Sequence, residues 1–323
     1  MKFRWVVQSF NSHFHFGEKM ATPMIDSCLN ASKYLLNHVD MSSLMSMYGN
    51  LHLGSSVYAS VLKSPEFFNY TSTYTFRDAI VVWNSLLARY SKSSTLENAL
   101  KLFEDMPEKD TISWNTIISG LMNQREIAKG FHFFAEMRAE CVCAMDQATL
   151  TTLLSACSRP AVIHCLVVHY GFDDIIPVGN ALITSYFKIG CHKEGKKVFD
   201  EMPQTNVVSW TATMSGLSKN GLYKESLTLL VKMNCGSVQP NTLTISSCLV
   251  ACSGLRAVKE GSQLHGFILK MGMNEDICVE SALMDMYSKC GKVKESWKLF
   301  ENAKQLDEVS LSIILSGLAQ NDL

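Results

Sequence analysis

The residues best equipped for chemistry in this chain are eleven cysteines and nine histidines, and their spacing decides whether any can act together. No two cysteines stand in a Cys-x-x-Cys arrangement; the nearest approaches are Cys141-x-Cys143 and Cys248-x-x-x-Cys252. Zinc knuckles and dithiol redox pairs use that two-residue spacing, so neither is expected. His192-Lys193-Glu194 has the spacing of the first half of a zinc-dependent nucleobase deaminase, but the Pro-Cys-x-x-Cys that completes such a site is absent. The chain is therefore read as a non-enzyme, with no catalytic residue, metal site or cofactor. Cys157 and Cys252 lie in matching Ser-Ala-Cys-Ser and Val-Ala-Cys-Ser stretches and read as small buried hydrophobes.

A second class of residues recurs more regularly. Val82-Trp83-Asn84, Ser113-Trp114-Asn115 and Ser209-Trp210-Thr211 superpose, as do Gly179-Asn180-Ala181 and Glu280-Ser281-Ala282. This puts Asn84, Asn115, Asn180, Thr211 and Ser281 in one column inside helical segments, where such residues have mediocre propensity. Asp110, Asp146, Asn206, Asn241, Asp276 and Asp307 each stand immediately before a helix start, where Asp and Asn act as N-caps. Capping accounts for the second set and leaves the first unexplained.

The elements that carry both sets form a repeat. Cutting at the superposable starts gives units 80–110, 111–146, 147–175, 176–206, 207–241, 242–276 and 277–307, then a partial unit, 308–323. Within a unit the apolar pattern is helical twice. Leu96, Ala99, Leu100 and Phe103 fall at one face of a second helix, and Ile127, Gly130, Phe131 and Phe134 repeat it, as do Val293, Ser296, Trp297 and Phe300. The second member of each set is small, which lets paired helices approach. Gly190, Gly221 and Gly291 fall between the two helices, where a left-handed residue is expected. Pro107 and Pro203 follow the second helix and stop it. One helix pair cannot bury its own apolar face, so neighbours must stack. The expected fold is all-α, an α-solenoid of tandem helix-turn-helix repeats wound as a right-handed superhelix.

Composition agrees with a folded chain, since 47% of residues are apolar and 18% charged. Lys plus Arg (29) balance Asp plus Glu (30), so there is no global positive field of the kind duplex-DNA binders use. No apolar run reaches the roughly 18 residues that cross a bilayer. Met1 to Gly17 carries Lys2 and Arg4 among aromatic and aliphatic residues, with no acid before Glu18. That pattern fits either an organellar presequence or an ordinary leader, and residues 1–37 are set apart from the fold.

The unit lengths and the Trp114-Asn115 opening, with Ile118 and Gly120 after it, resemble the pentatricopeptide repeat family. The alternation of 31- and 35-residue units resembles its plant PLS subclass, with Leu102-Phe103-Glu104-Asp105-Met106-Pro107 and Val198-Phe199-Asp200-Glu201-Met202-Pro203 as short-type signatures. Residues 38–79 resemble a degenerate long-type unit, and the chain looks truncated before any C-terminal E or DYW region. In that family one unit reads one base of single-stranded RNA, through the fifth residue of its first helix and the last residue of the unit. The resemblance implies the base-reading pairs Asn84 with Asp110, Asn115 with Asp146, Asn180 with Asn206, Thr211 with Asn241, and Ser281 with Asp307. It also implies that Val81, Ile112 and Val208 pack against base faces. Asp only accepts hydrogen bonds and suits uracil or guanine, whereas Asn suits adenine or cytosine. In the family Asn at the fifth position goes with a pyrimidine and Thr or Ser with a purine, so with the long-type units 147–175 and 242–276 left blank, the reading the resemblance implies is 5′-U-U-N-(C/U)-A-N-G-3′.

The resemblance further implies an RNA editing or processing factor of a mitochondrion or plastid, with RNA-editing proteins as partners and neither membrane nor DNA. The competing expectation is a protein-binding α-helical scaffold or a decayed fragment that binds no RNA. Tetratricopeptide units, which build such scaffolds, carry a Leu-Gly-x-x-Tyr pattern that is absent here. Two irregularities are expected to matter. Unit 147–175 is about six residues shorter than 242–276, with the loss placed around Arg159-Pro160-Ala161-Val162, so its second helix should be short or displaced. Unit 176–206 puts His192 and Lys196 at otherwise apolar positions, which should loosen it.

Overall fold

The computed structural model describes residues 76–92, 96–140, 144–236, 238–303 and 308–320. The leader at 1–37 and the degenerate unit at 38–79 lie outside the described residues, except for 76–79 at the start of the first helix. Among the described residues there are fifteen α-helices and no strand. They fall into two compact units, one ending at Ala144 and the other beginning at Met145. The first unit holds α1 (Phe76–Lys92), α2 (Leu96–Asp105), α3 (Thr111–Asn123) and α4 (Ile127–Ala139). The second begins with α5 (Gln147–Ala156), α6 (Pro160–His169), α7 (Ile176–Lys188), α8 (His192–Glu201), α9 (Val207–Lys219) and α10 (Tyr223–Cys235). It continues with α11 (Thr242–Leu255), α12 (Val258–Met271), α13 (Ile277–Lys289), α14 (Val293–Asn302) and α15 (Glu308–Gln320).

Inside each unit the odd-numbered helices stack on one another, α1 on α3 in the first and α5 through α15 in the second. Each even-numbered helix closes against the helix before it. The fold is thus all-α, built from tandem helical repeats. Small residues set the spacing of the stack: a Cβ on Gly216 of α9 would stand 2.3 Å from Phe187 of α7, so no larger residue fits. Gly190 and Gly221 both turn the chain with φ +78°, the left-handed conformation that a residue with a Cβ resists. A T-shaped aromatic pair then joins a second helix to the next first helix. Phe103 meets Trp114 at 4.8 Å and 74°, and Phe199 meets Trp210 at 4.9 Å and 79°.

The expected apolar faces hold in part. Leu96, Ala99 and Phe103 are buried, Leu102 joins them, and Leu100 is half-buried. Trp297 departs from the pattern at 41% exposure; it lies at the edge of its face, and its indole N–H donates to Glu301 one turn on. Ile127 is also exposed, while Gly130 and Phe134 below it are buried. On α8 the polar Lys196 is accommodated at a half-buried edge, where it pairs with Asp200 and lies 5.5 Å from the Phe199 ring centroid.

The short unit is cut differently from the expectation. Helix α6 is indeed short, at 10 residues against 14 in α12, but α5 is shortened equally, at 10 against 14 in α11. Cys157, extended at ψ 142°, ends α5, and Pro160 starts α6. It starts α6 at the position where a missing N–H costs nothing, and it keeps Arg159 outside the helical region at φ −132°, ψ 71°.

Candidate functional site

The site grows out of the way the first helices begin. Asp110, Asp146, Asn206 and Asn241 cap α3, α5, α9 and α11 with a reciprocal capping box. In each, the cap Oδ1 accepts the backbone N–H of the third helical residue, at 2.8, 2.9, 3.0 and 2.9 Å. The third residue is Ser113, Thr149, Ser209 or Thr244, and its hydroxyl accepts the cap's own N–H at 3.3–3.4 Å. Each cap thus satisfies a helix-end donor that would otherwise have no partner. The box consumes Oδ1 alone. Oδ2 of Asp110 and the Nδ2 groups of Asn206 and Asn241 make no hydrogen bond among the described residues.

The same hydroxyls reach back to the preceding first helix. Asn84 Nδ2 donates to Asp110 Oδ1 at 3.0 Å, and Ser113 Oγ lies 2.7 Å from Asn84 Oδ1 and 2.8 Å from Asp110 Oδ1. Thr211 and Asn241 are joined through Thr244, whose Oγ1 is 2.7 Å from Thr211 Oγ1 and 2.8 Å from Asn241 Oδ1. Ser281 Oγ lies 3.5 Å from Ser310 Oγ, the third residue of α15, while Asp307 is outside the described residues. Asn180 departs from this pattern: no hydrogen bond joins it to Asn206, and its Oδ1 is buried without a partner. Asn115 belongs to the first unit and Asp146 to the second, so each stands with its own unit.

Burial of Asp110 pushes its pKa up, but hydrogen bonds from the Ser113 backbone, the Asn84 amide, the Ser113 hydroxyl and the Ile112 N–H outweigh it. The carboxylate is held below its ordinary value and is ionised at neutral pH. Beside the polar column stands an apolar one. Val81, Ile112 and Val208 are 49%, 61% and 52% exposed, and Leu243 and Val309 repeat the position in α11 and α15 at 58% and 56%. Ile112, Val208, Leu243 and Val309 are each the second residue of their helix and Val81 the second of its repeat unit, whereas Ala148, Pro177 and Cys278 fill that position in α5, α7 and α13.

Two helix starts lack this arrangement. At α7 the cap is Ile175, with no side-chain cap bond, and the third residue is Val178. At α13 Asp276 caps through Cys278 N–H and Val279 N–H, but Val279 has no hydroxyl to return. Both Val positions are fully buried. The same two junctions carry a His–Tyr bond, His164 Nδ1 to Tyr186 Oη and His265 Nδ1 to Tyr287 Oη, each 3.0 Å. Sequence reasoning missed both the hydroxyl column and these pairs. Their signals were a Ser or Thr three residues after each cap and the equal 22-residue spacing of His and Tyr.

Among the described residues, the cysteines and the histidine that the sequence singled out take structural places. Burial pushes the Cys248 and Cys252 thiols up to about 12, so both stay protonated. Cys157 is buried as well, in keeping with a packing role. His192 turns Nδ1 to the Gly190 carbonyl at 3.1 Å, within its own turn. No group of three His, Cys, Asp or Glu among the described residues could hold a metal ion.

Comparison with known proteins supplies three findings. The PPR repeat family matches residues 109–159, and the PPR repeat itself matches 81–111, 180–207, 208–236 and 281–307. Among curated relatives, pentatricopeptide repeat-containing protein At1g03540 of Arabidopsis thaliana is 35% identical, over 74% of this chain and 41% of its own length. Putative pentatricopeptide repeat-containing protein At3g13770, mitochondrial, of the same plant, is 32% identical over 74% of this chain and 39% of its own. The chain thus spans about two-fifths of these relatives. Among solved structures, pentatricopeptide repeat protein PPR10 in complex with an 18-nt psaJ RNA element covers 93% of this chain and 46% of its own, with TM-score 0.66 and 16% identity. PPR10 from maize covers 75% of this chain and 36% of its own, with TM-score 0.63 and 18% identity.

Proposed function

Because the chain belongs to the PPR repeat family, we propose that it binds single-stranded RNA sequence-selectively, one base for each well-formed repeat. The observation that carries this reading is the junction between α1 and α3. There Asn84 and Asp110 are held together at 3.0 Å, with Asp110 Oδ2 unused and the exposed Val81 and Ile112 beside them. An unused carboxylate oxygen accepts the ring N–H of uracil or guanine, and an exposed branched side chain gives the base a face to lie on. The RNA-bound PPR10, which shares the fold, supports the reading by analogy.

The proposed reading residues are Asn84, Asp110, Asn115, Asp146, Asn180, Asn206, Thr211, Asn241, Ser281 and Asp307, with Val81, Ile112 and Val208 as base-packing residues. The repeats are taken as units 80–110 through 277–307, of the PLS type. The finer role is that of a specificity factor for RNA editing or processing in a mitochondrion or plastid, acting with editing proteins. A relative whose name carries a mitochondrial address supports an organelle without choosing between the two.

The test uses RNAs built on UUNYANG that differ only at the A, the nucleotide assigned to Thr211 and Asn241. Thr211→Asn converts this pair to the one at Asn180 and Asn206, and preference should move from A toward C or U. The expected discrimination is about 1 kcal/mol, one ordinary net hydrogen bond. An unchanged ranking would sink the register, and no selective binding to any of these RNAs would favour a protein scaffold.

A further inference from the structure

We infer that the hydroxyl at the third position of α3, α9 and α11 is a specificity-determining positioning residue, which fixes the outward-facing atom of the preceding base-reading pair. The inference rests on the RNA reading above and adds residues to it: Ser113, Ser209 and Thr244, with Val279 as the natural counter-example.

The argument begins with the polarity of the cap. A helix N-terminus offers only N–H donors, so a capping Asn must turn Oδ1 toward the helix and leave Nδ2 outward. Asn206 and Asn241 do this, with Oδ1 engaged by the third residue's N–H and hydroxyl. Asp110 does the same with one oxygen and leaves the other outward. Capping therefore converts an ambivalent amide into a pure donor and keeps the carboxylate a pure acceptor. Capping and reading are not alternatives; the first sets the second. An outward amide matches the ring acceptor nitrogen of adenine or cytosine, and an outward carboxylate oxygen the ring N–H of uracil or guanine.

Backbone N–H groups alone could hold Oδ1, so the hydroxyl must contribute something further, and the dihedral angles show what. The four boxed caps, whose N–H donates to that hydroxyl, lie at φ −103° to −121° and ψ 177° or 178°. Asp276, before Val279, lies at φ −83° and ψ 119°. The hydroxyl thus accompanies a turn of about 60° in the cap's ψ, and at two junctions it touches both members of a pair, as Ser113 does with Asn84 and Asp110 and Thr244 with Thr211 and Asn241, whereas Ser209 touches Asn206 alone. Val279 has nearly the volume of Thr and is as fully buried as Thr244. The junction at Val279 therefore differs in hydrogen bonding and not in burial, which accounts for the blank assigned to its unit.

The experiment measures binding of the full chain, as Thr244→Val, Thr244→Ser and Val279→Thr, to the four UUNYANG RNAs that differ at the A and to four that differ at the following N. The native chain should prefer A at the first site by about fivefold, the equivalent of one net hydrogen bond. Thr244→Val should bring the four within about twofold while leaving Asn241 and Thr211 in place, and Thr244→Ser should restore the preference. Val279→Thr should create a preference for G or U at the second site, where the native chain has none. Thermal melting checks that each variant is folded; because Val occupies the same buried position at 178 and 279, it should be. Native selectivity that survives Thr244→Val at full size overturns this inference and leaves the RNA reading standing. A native chain with no selectivity at either site overturns both.

Discussion

The starts of α11 and α13 belong to one stack of helices, yet they differ in kind. At α11 a hydroxyl from Thr244 ties the cap to the preceding helix; at α13 a methyl of Val279 takes its place and ties nothing. The core beneath is equally apolar, since Leu249 in α11 and Leu283 in α13 are both fully buried. The repeat can thus vary a single atom at a junction without disturbing its packing. Stability sits in the stack, and whatever distinguishes one repeat from another sits in its caps.

The strongest way to break this comparison is to attack the stack itself. Leu249→Ala and Leu283→Ala should each destabilise the second unit by about 2–5 kcal/mol, the usual cost of a buried leucine deleted from a packed core. Equilibrium denaturation should show comparable losses. A loss below 1 kcal/mol at one site alone would mean that the two junctions differ in packing after all.

A smaller effect sharpens the comparison at the caps. Asn241→Ala should cost about 1–2 kcal/mol, the upper range for a helix cap, because it also removes the Oδ1 to which the fully buried Thr244 hydroxyl donates, leaving that hydroxyl its contacts to Thr211 and the cap N–H. Asp276→Ala strands no side-chain group and should cost about 0.5–1 kcal/mol. Hydrogen exchange at residues 244 and 279 would report each cap directly. A larger loss at Asp276 would contradict the claim that the hydroxyl couples cap to neighbour.

Much of this fold was legible because helix pairs declare themselves locally. Apolar spacing marks the buried faces at Leu96, Ala99 and Phe103, and Gly190 and Gly221 mark turns that only a left-handed residue completes. The misses have physical causes. Pro160 marks the start of α6, but nothing in the pattern marked the extended Cys157 that ends α5. Trp297 satisfied the helical pattern but lay at the edge of its face, and periodicity does not say how wide a face is buried. At the candidate site, Asn84 and Asp110 were paired by resemblance and meet at 3.0 Å. Ser113 between them went unassigned although it adjoins Trp114 in the repeated opening. A buried serine looks like filler until its partners, 29 residues away in the chain, are known.

The smallest expected effect concerns the His–Tyr bonds, which occur at the two Val junctions. His164 and His265 lose water as α6 and α12 close on the next first helix, and desolvation holds both pKa values below the ordinary 6.5. For His164, attraction from Glu201 and Asp173 opposes this without cancelling it. Burial pushes the Tyr186 pKa up, so its hydroxyl stays protonated and can donate to a neutral imidazole. The sign of the pH dependence follows from which state binds more protons. Above about pH 7 both states carry neutral histidine and the pair contributes no slope. As pH falls through 6.5 the unfolded chain takes up protons that the folded chain refuses, so stability declines until the depressed folded value is passed. The denaturation midpoint of the second unit should therefore fall between pH 7.5 and 5.5. His164→Gln with His265→Gln, which keeps a polar partner for each tyrosine, should flatten that slope. Hydrogen exchange at the lower pH should quicken in α6, α7, α12 and α13 more than in α9 through α11, which contain no histidine. An equal response in all of these helices would show that the His–Tyr pairs do not set the Val junctions apart.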